Sequence, residues 1–184
     1  MGFPRDTKFK SEYLIIRVPK ISDIVKLINC YHYLSERTKR FFHPFPENRF
    51  NFTWIILSLS CLKTIRRLLL KIVPRFVYLS LCSIYMNELV GFAFIKLANR
   101  FYGELGIFVR DDCQGMGIGT KLMDRLIKMA KKEGIKKVRL TVLADNYRAI
   151  RLYEKFGFKK IKIIRGGDVY RGEKHDCIEM WLNL

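Results

Sequence analysis

Residues 109–119 read Val109-Arg110-Asp111-Asp112-Cys113-Gln114-Gly115-Met116-Gly117-Ile118-Gly119. This stretch joins two different periodicities. Before it, Phe101 to Val109 reads as a strand. After it, Leu122, Leu126, Ile127 and Ala130 recur at helical spacing, and Gly134 is a natural stop. Three glycines at alternate positions let the backbone approach a ligand closely. They sit where the first N–H groups of the helix have no intrahelical partner. Such a helix start suits phosphate, with each anionic group gaining about 0.3–1 kcal/mol from the dipole. No Gly-Lys-Ser/Thr follows, so this is not a Walker loop. The G-x-G-x-G spacing also differs from the dinucleotide fingerprint, and the strand before it is not the first of a βαβ unit. The phosphate-bearing ligand is therefore neither a nucleoside triphosphate nor NAD.

Working outward, the chain divides into two halves. Tyr13 to Val18 reads as a strand closed by Pro19. Ser22 looks like the N-cap of a short amphipathic helix with Ile21, Ile24, Val25 and Ile28, and Ser35 that of a second. Pro44 and Pro46 interrupt the chain. A third helix fits Thr53 to Ile72 and ends at Pro74. Strands over Phe76 to Met86, Leu89 to Ala98 and Phe101 to Val109, turned at Asn87-Glu88 and Asn99-Arg100, make an antiparallel meander. Downstream come a strand over Lys137 to Leu143, a helix over Asn146 to Phe156 and a strand over Phe158 to Ile164. A polar loop over Arg165 to Asp176 then leads to a last strand, Cys177 to Leu182. The expected fold is one α/β domain with a mixed sheet over residues 1–184: an antiparallel N-terminal meander and a βαβ C-terminal half.

The length, 184 residues, suits one domain with a real core. With 49% hydrophobic residues the chain is neither disordered nor low-complexity. Its net charge of +18 invites an acidic partner such as nucleic acid, a membrane surface or a phosphate-rich ligand. Each half carries net +9, so the charge is not a basic arm. Five cysteines, none at C-x-x-C spacing, and three histidines give no metal pattern. Buried thiols in a reducing, cytoplasmic setting are expected. The N-terminus lacks an apolar signal core, and the most apolar run, Phe52 to Leu62, is about half a membrane span. No membrane association is expected.

Gln114-x-x-Gly117-x-Gly119 resembles the pyrophosphate-binding Q/R-x-x-G-x-G/A signature of the GNAT superfamily of N-acetyltransferases. Glu104-Leu-Gly-Ile-Phe-Val109 resembles that family's fourth strand, and Asn146 to Phe158 is similar to its second signature. Leu34 to His43 resembles the substrate-side helix of protein-acetylating members. The resemblance implies the GNAT fold, in which the fourth strand splays from the fifth, Lys137 to Leu143. It implies acetyl-CoA as co-substrate, with no metal. Backbone groups of Gln114, Gly115, Met116, Gly117, Ile118, Gly119 and Thr120 would hold the pyrophosphate. The pantetheine would pair like a strand with Ile107, Phe108 and Val109. A backbone N–H near Ile107 would polarise the thioester carbonyl. Asn146 would contact the pantetheine or cap its helix.

The implied reaction is direct transfer, in a ternary complex, to a primary amine: a protein N-terminus, a lysine or a small amine. A lysine-type amine with pKa near about 10.4 is neutral only about once in 10³ at pH 7, so a base would help. Glu104 is the candidate base and Tyr153 the candidate proton donor to the departing thiolate. Asp111 and Asp112 read as turn or capping residues. Cys113 has no base nearby in sequence, which argues against a covalent intermediate. Arg110, Lys121 and Arg148 would attract the 3′-phosphate. The helices before Pro74 and the loop over Arg165 to Asp176 would wall the acceptor cleft. A +18 protein should repel polyamines. The alternative is a basic nucleic-acid- or ribosome-associated binding module on a GNAT-like domain without catalysis. A monomer or homodimer fits either reading.

Overall fold

The computed structural model describes residues 10–42, 78–99 and 101–184. The helix expected over Thr53 to Ile72, the Pro44 and Pro46 breaks, His43 and Arg100 lie outside the described residues.

Among the described residues seven strands form one mixed sheet: β1 (Leu14–Arg17), β2 (Tyr78–Tyr85), β3 (Glu88–Asn99), β4 (Tyr102–Val109), β5 (Lys137–Leu143), β6 (Lys159–Tyr170) and β7 (Glu173–Asn183). Their spatial order is β1-β2-β3-β4-β5-β7-β6. The first four pair antiparallel, β4 pairs parallel with β5, and β7 lies antiparallel between β5 and β6. The helices among these residues are α1 (Ile24–His32), α2 (Glu36–Phe41), α3 (Ile118–Lys132) and α4 (Tyr147–Lys155).

Two apolar clusters hold the layers together. On one face Leu122, Met123, Leu126, Ile127 and Ala130 of α3, with Ile150 and Tyr153 of α4, bury against alternate residues of the sheet such as Ala93, Ile95, Val138, Leu140 and Met180. On the other, Leu27 and Cys30 of α1, with Leu34 and Phe42, pack on Phe92, Phe94 and Phe108. Burying one such side chain stabilises by about 1.5–3 kcal/mol. A bulge in the β2–β3 ladder, where Ser83 faces Gly91 and Ile84 faces Leu89, leaves Val90 as the extra residue. Its carbonyl accepts the N–H of Arg110 at 2.8 Å, which fixes where the chain leaves β4.

Four expectations are corrected. First, Asp23 rather than Ser22 precedes α1, because Ile21–Asp23 forms a 3₁₀ turn. The Asp23 carboxylate is held by Arg17 at 2.5 and 2.9 Å and by the Lys20 N–H at 2.7 Å. Second, α1 buries Leu27 and Cys30, while Val25 is 66% exposed. Third, the β2–β3 turn is Met86-Asn87, both left-handed, with Glu88 already in β3. Fourth, Arg165 to Asp176 is not a loop. β6 and β7 continue through it to a two-residue turn, Arg171-Gly172, with φ of 51° and 85°. The Gly166-Gly167 pair that suggested a loop is taken up by a bulge between Ile164 and Asp168. A Cβ on Gly167 would lie 2.6 Å from the Ile164 side chain.

β6 is an edge strand. It exposes Ile161, Ile163 and Val169, interleaved with Lys159, Lys160 and Lys162. Among the described residues no helix is long and apolar enough to cross a membrane.

Candidate active site

The β4–β5 ladder has three rungs: Tyr102 with Lys137, Gly103 with Val138 and Glu104 with Arg139. Beyond Glu104 the strands part, β4 staying with β3 and β5 with β7. The opening is a cleft of about 970 Å³. Its walls come from both parted strands, the glycine loop, α2, α4 and the β6 bulge.

The glycine loop is shaped by its backbone. Asp111–Cys113 makes a 3₁₀ turn, and Gly115 and Gly117 follow with φ of 85° and 76°. An L side chain at Gly117 would be strained in the left-handed region even though nothing lies within 4 Å of its Cβ position. Gly117 caps α3 and its carbonyl takes the first helical bond, from the Lys121 N–H at 3.0 Å. The N–H groups of Ile118, Gly119 and Thr120 therefore stand outside the helix ladder beside the cleft. The Gln114 N–H does not join them, because it donates to Asp111 O at 3.3 Å. That removes one of the donors expected from the sequence.

Gln114 acts through its side chain. Its Nε2 donates to Val109 O at 3.1 Å and to Thr38 Oγ1 at 3.3 Å, and its Oε1 accepts from Arg148 at 3.2 Å. The Val109 carbonyl is thus engaged, while Ile107 and Phe108 remain on the parted edge. Arg148 also reaches over Gly115, with Nη2 3.2 Å from that residue's Cβ position. This puts one cation beside the free helix N–H groups. Lys121 is exposed on the first turn of α3. Arg110 is not available to an anion, because it is buried and forked onto Asp112 at 2.7 and 3.0 Å.

Glu104 stands at the apex of the opening and lines the cleft. It has an ion-pair partner, Arg139, at 3.3 Å. Arg139 also faces Glu179 at 3.9 Å, and its guanidinium lies 5.9 Å from the Tyr102 ring. Tyr102 stacks on Trp181 at 5.3 Å, and the Trp181 indole N–H donates to Glu179 at 2.9 Å. Tyr153 is buried in α4 against Phe158, yet it lines the same cleft. Burial pushes its phenol well above the usual range, so it stays protonated. Among the described residues no group hydrogen-bonds its hydroxyl. Asn146 caps α4, its side chain accepting from the Ala149 N–H at 3.2 Å, and it also lines the cleft.

Cys113 is buried under the loop, and burial pushes its thiol up to about 12. It is a packing residue, not a nucleophile. His175 does not line the cleft. No group of His, Cys, Asp and Glu among the described residues is arranged to hold a metal.

Sequence reasoning missed the ties of α2. Asp111 does not cap its own turn. It accepts from Ser35 N–H at 2.8 Å, Ser35 Oγ at 2.7 Å and Thr38 Oγ1 at 2.5 Å. Burial pushes its carboxyl up, and these hydrogen bonds outweigh that, holding it below the usual carboxylate range. At the far end Arg40 pairs with Asp145, and at the near end Glu36 pairs with Arg171 at 2.6 Å and accepts from Tyr170 at 3.1 Å. Ser35 was legible as a cap in the sequence; its partner Asp111, 76 residues away, was not.

A family model for the acetyltransferase (GNAT) family matches residues 32–158. The chain belongs to the GNAT acetyltransferase family. It is similar to an N-acetyltransferase of Methanocaldococcus jannaschii, 42% identical over 60 residues, which is 33% of this chain and 26% of that protein. It is also similar to the spermine/spermidine N(1)-acetyltransferase of Bacillus subtilis, 34% identical over 83 residues, 40% of this chain and 55% of that one. The matches thus span between about a quarter and about half of these curated relatives. Among solved structures, the ribosomal-protein-S18-alanine N-acetyltransferase of Escherichia coli superposes with TM-score 0.66 at 25% identity, covering 92% of this chain and 93% of that chain. The yncA acetyltransferase of Salmonella typhimurium, solved with acetyl-CoA, superposes at 0.71 and 22% identity over 93% and 94%. The parted fourth and fifth strands are thus the GNAT opening.

Proposed function

We propose that this GNAT member, read as one domain over 1–184, is an acetyl-CoA-dependent N-acetyltransferase acting by direct transfer in a ternary complex. The observation that carries this is the opening itself. Free helix N–H groups, a parted strand edge, a carboxylate and a buried phenol all line one cleft.

The residues fit coenzyme A. The N–H groups of Ile118, Gly119 and Thr120 would take the pyrophosphate, together with Gly115, Met116 and Gly117 of the loop, and Gln114 would brace that loop through its side chain. Arg148 would add a cation, worth more in the partly buried cleft than in water. Ile107, Phe108 and the Val109 N–H would pair with the pantetheine as a strand would. Acetyl-CoA supplies a thioester whose acetyl carbon forms the new C–N bond as its C–S bond breaks. Glu104 would take the proton that the amine gives up. Tyr153, kept protonated by burial, would donate from its hydroxyl toward the departing sulfur. Positioned proton transfer of this kind contributes about 10²–10⁴-fold.

Free-thiol release with acetyl-CoA across peptide, lysine-protein and small-amine acceptors tests the reading. Acetyl-CoA should also raise the melting temperature. Absence of both effects, with RNA bound on a steep salt slope, would favour a binding module instead.

A further inference from the structure

We propose that the acceptor is the α-amine of a polypeptide that carries acidic side chains next to its N-terminus. This rests on the N-acetyltransferase reading above and names its substrate class.

The first argument concerns the proton. At pH 7 an α-amine with pKa about 7.7–8.0 is neutral about once in ten, whereas a lysine-type amine is neutral about once in 10³. A lysine or polyamine acceptor therefore needs about a hundredfold more help. Among the described residues the cleft offers Glu104 as its one candidate base. No histidine lines it among the described residues. Glu104 is in an ion pair with Arg139. Asp111 is filled by three hydrogen bonds from α2, and Asp145 is paired with Arg40. Asp168 is not free either. An acceptor that is already partly neutral suits such a site.

The second argument concerns charge. Among the described residues every carboxylate lining the cleft has a partner, so none of these is left over for the ammonium groups of a polyamine. The cations are different. Lys96 is the cross-strand neighbour of Glu104, on the same face of the sheet. Arg37 comes from α2 and lies near the Phe41 ring, 5.9 Å away. Both line the cleft, and among the described residues neither has an ion-pair partner. Lys96 and Arg37 thus share with Glu104 an opening that Arg151 and Lys155 also line, none of the four cations having an ion-pair partner among the described residues. Acidic side chains behind the amine would satisfy them, and cationic ones would be repelled.

The test is thiol release on four probes with acetyl-CoA: a peptide with a free α-amine followed by Asp and Glu, the same peptide with Lys in their place, an N-terminally blocked peptide containing Lys, and spermidine. The acidic free-amine peptide should exceed each of the others in kcat/KM by about tenfold or more. Arg37→Glu together with Lys96→Glu should abolish or reverse the preference between the first two peptides, and added salt should shrink it. Fastest turnover of spermidine or of the blocked lysine peptide would overturn the inference while leaving the N-acetyltransferase reading intact. A preference unchanged by both charge reversals would do the same. Absence of acceptor-dependent thiol release with every probe would remove the function, and this inference with it.

Discussion

The side-chain amide of Gln114 donates to the hydroxyl of Thr38 at 3.3 Å, joining the glycine loop to α2. The Thr38 hydroxyl in turn donates to the Asp111 carboxylate at 2.5 Å. One buried hydroxyl therefore links the proposed donor side of the cleft to its acceptor side. Thr38→Val keeps the shape and removes both bonds. Calorimetry should find a loss of about 1–2 kcal/mol, with Tm falling about 2–4 °C for each kcal/mol. An unchanged Tm would mean that the hydroxyl does not hold α2.

The Asp111 carboxyl is held below its ordinary 3.8 by hydrogen bonds that favour the charged form. Its folded value is depressed, so the stability it contributes is present above about pH 4 and lost as pH falls through the lower folded value. Asp111→Asn should flatten that part of the acid-unfolding curve. Identical curves for both proteins between about pH 5 and pH 2 would refute the assignment.

Glu104→Gln and Tyr153→Phe separate chemistry from folding. Glu104→Gln weakens a half-exposed ion pair, worth at most about 1 kcal/mol. Tyr153→Phe removes a hydroxyl with no hydrogen-bond partner among the described residues. Both should fold normally by thermal melt, yet kcat should fall about 10²-fold or more in the first and about tenfold or more in the second. Full activity in both would remove the mechanism and leave the family.

Two glycines of the loop should behave oppositely. At Gly119 a Cβ would meet Leu152 at 3.6 Å and Val109 at 3.8 Å, ordinary contacts, in a helical position. Gly119→Ala should be as stable as wild type or up to about 1 kcal/mol more so. Gly117→Ala should cost about 1 kcal/mol or more, because its φ of 76° is left-handed. Comparative melts of the two variants decide this.

Native Cys113 should resist alkylation at pH 8, its thiol being buried and pushed up to about 12. Peptide mapping after iodoacetamide should find it modified only in denaturant. Rapid labelling of the folded protein would reopen the covalent route.

The meander and the helix start after the glycine loop were legible because each depends on neighbours in sequence, while the parting of the parallel β4–β5 pair was implied by the family resemblance and not by spacing. Gly115, Gly117 and Gly119 declare their backbone by their spacing, and Leu122, Leu126 and Ala130 declare a buried face. Asn146 was readable as a cap for the same reason. The misreadings have a common cause. Arg165 to Asp176 looks like a loop because Gly166, Gly167 and the charges carry no strand signal, and pairing with β7 overrides that locally. The fork of Arg110 on Asp112, the pairing of Glu104 with Arg139 and the tie of Ser35 and Thr38 to Asp111 concern where side chains meet. Spacing along the chain does not encode those meetings when 35 or 73 residues separate the partners.

The outer strand β6 has a consequence for how the molecule behaves in company. Its free edge bears Ile161, Ile163 and Val169, each more than half exposed, and an unpaired ladder of this kind invites another copy to add a strand. Lys159, Lys160 and Lys162 interrupt it. Lys160 and Lys162 already lean on Glu154 and Glu179, so their protection is partly spent inside the molecule. Colloidal stability therefore falls to the remaining positive field of a +18 chain, and a polyanion that neutralises that field would leave the edge open to fibrous association.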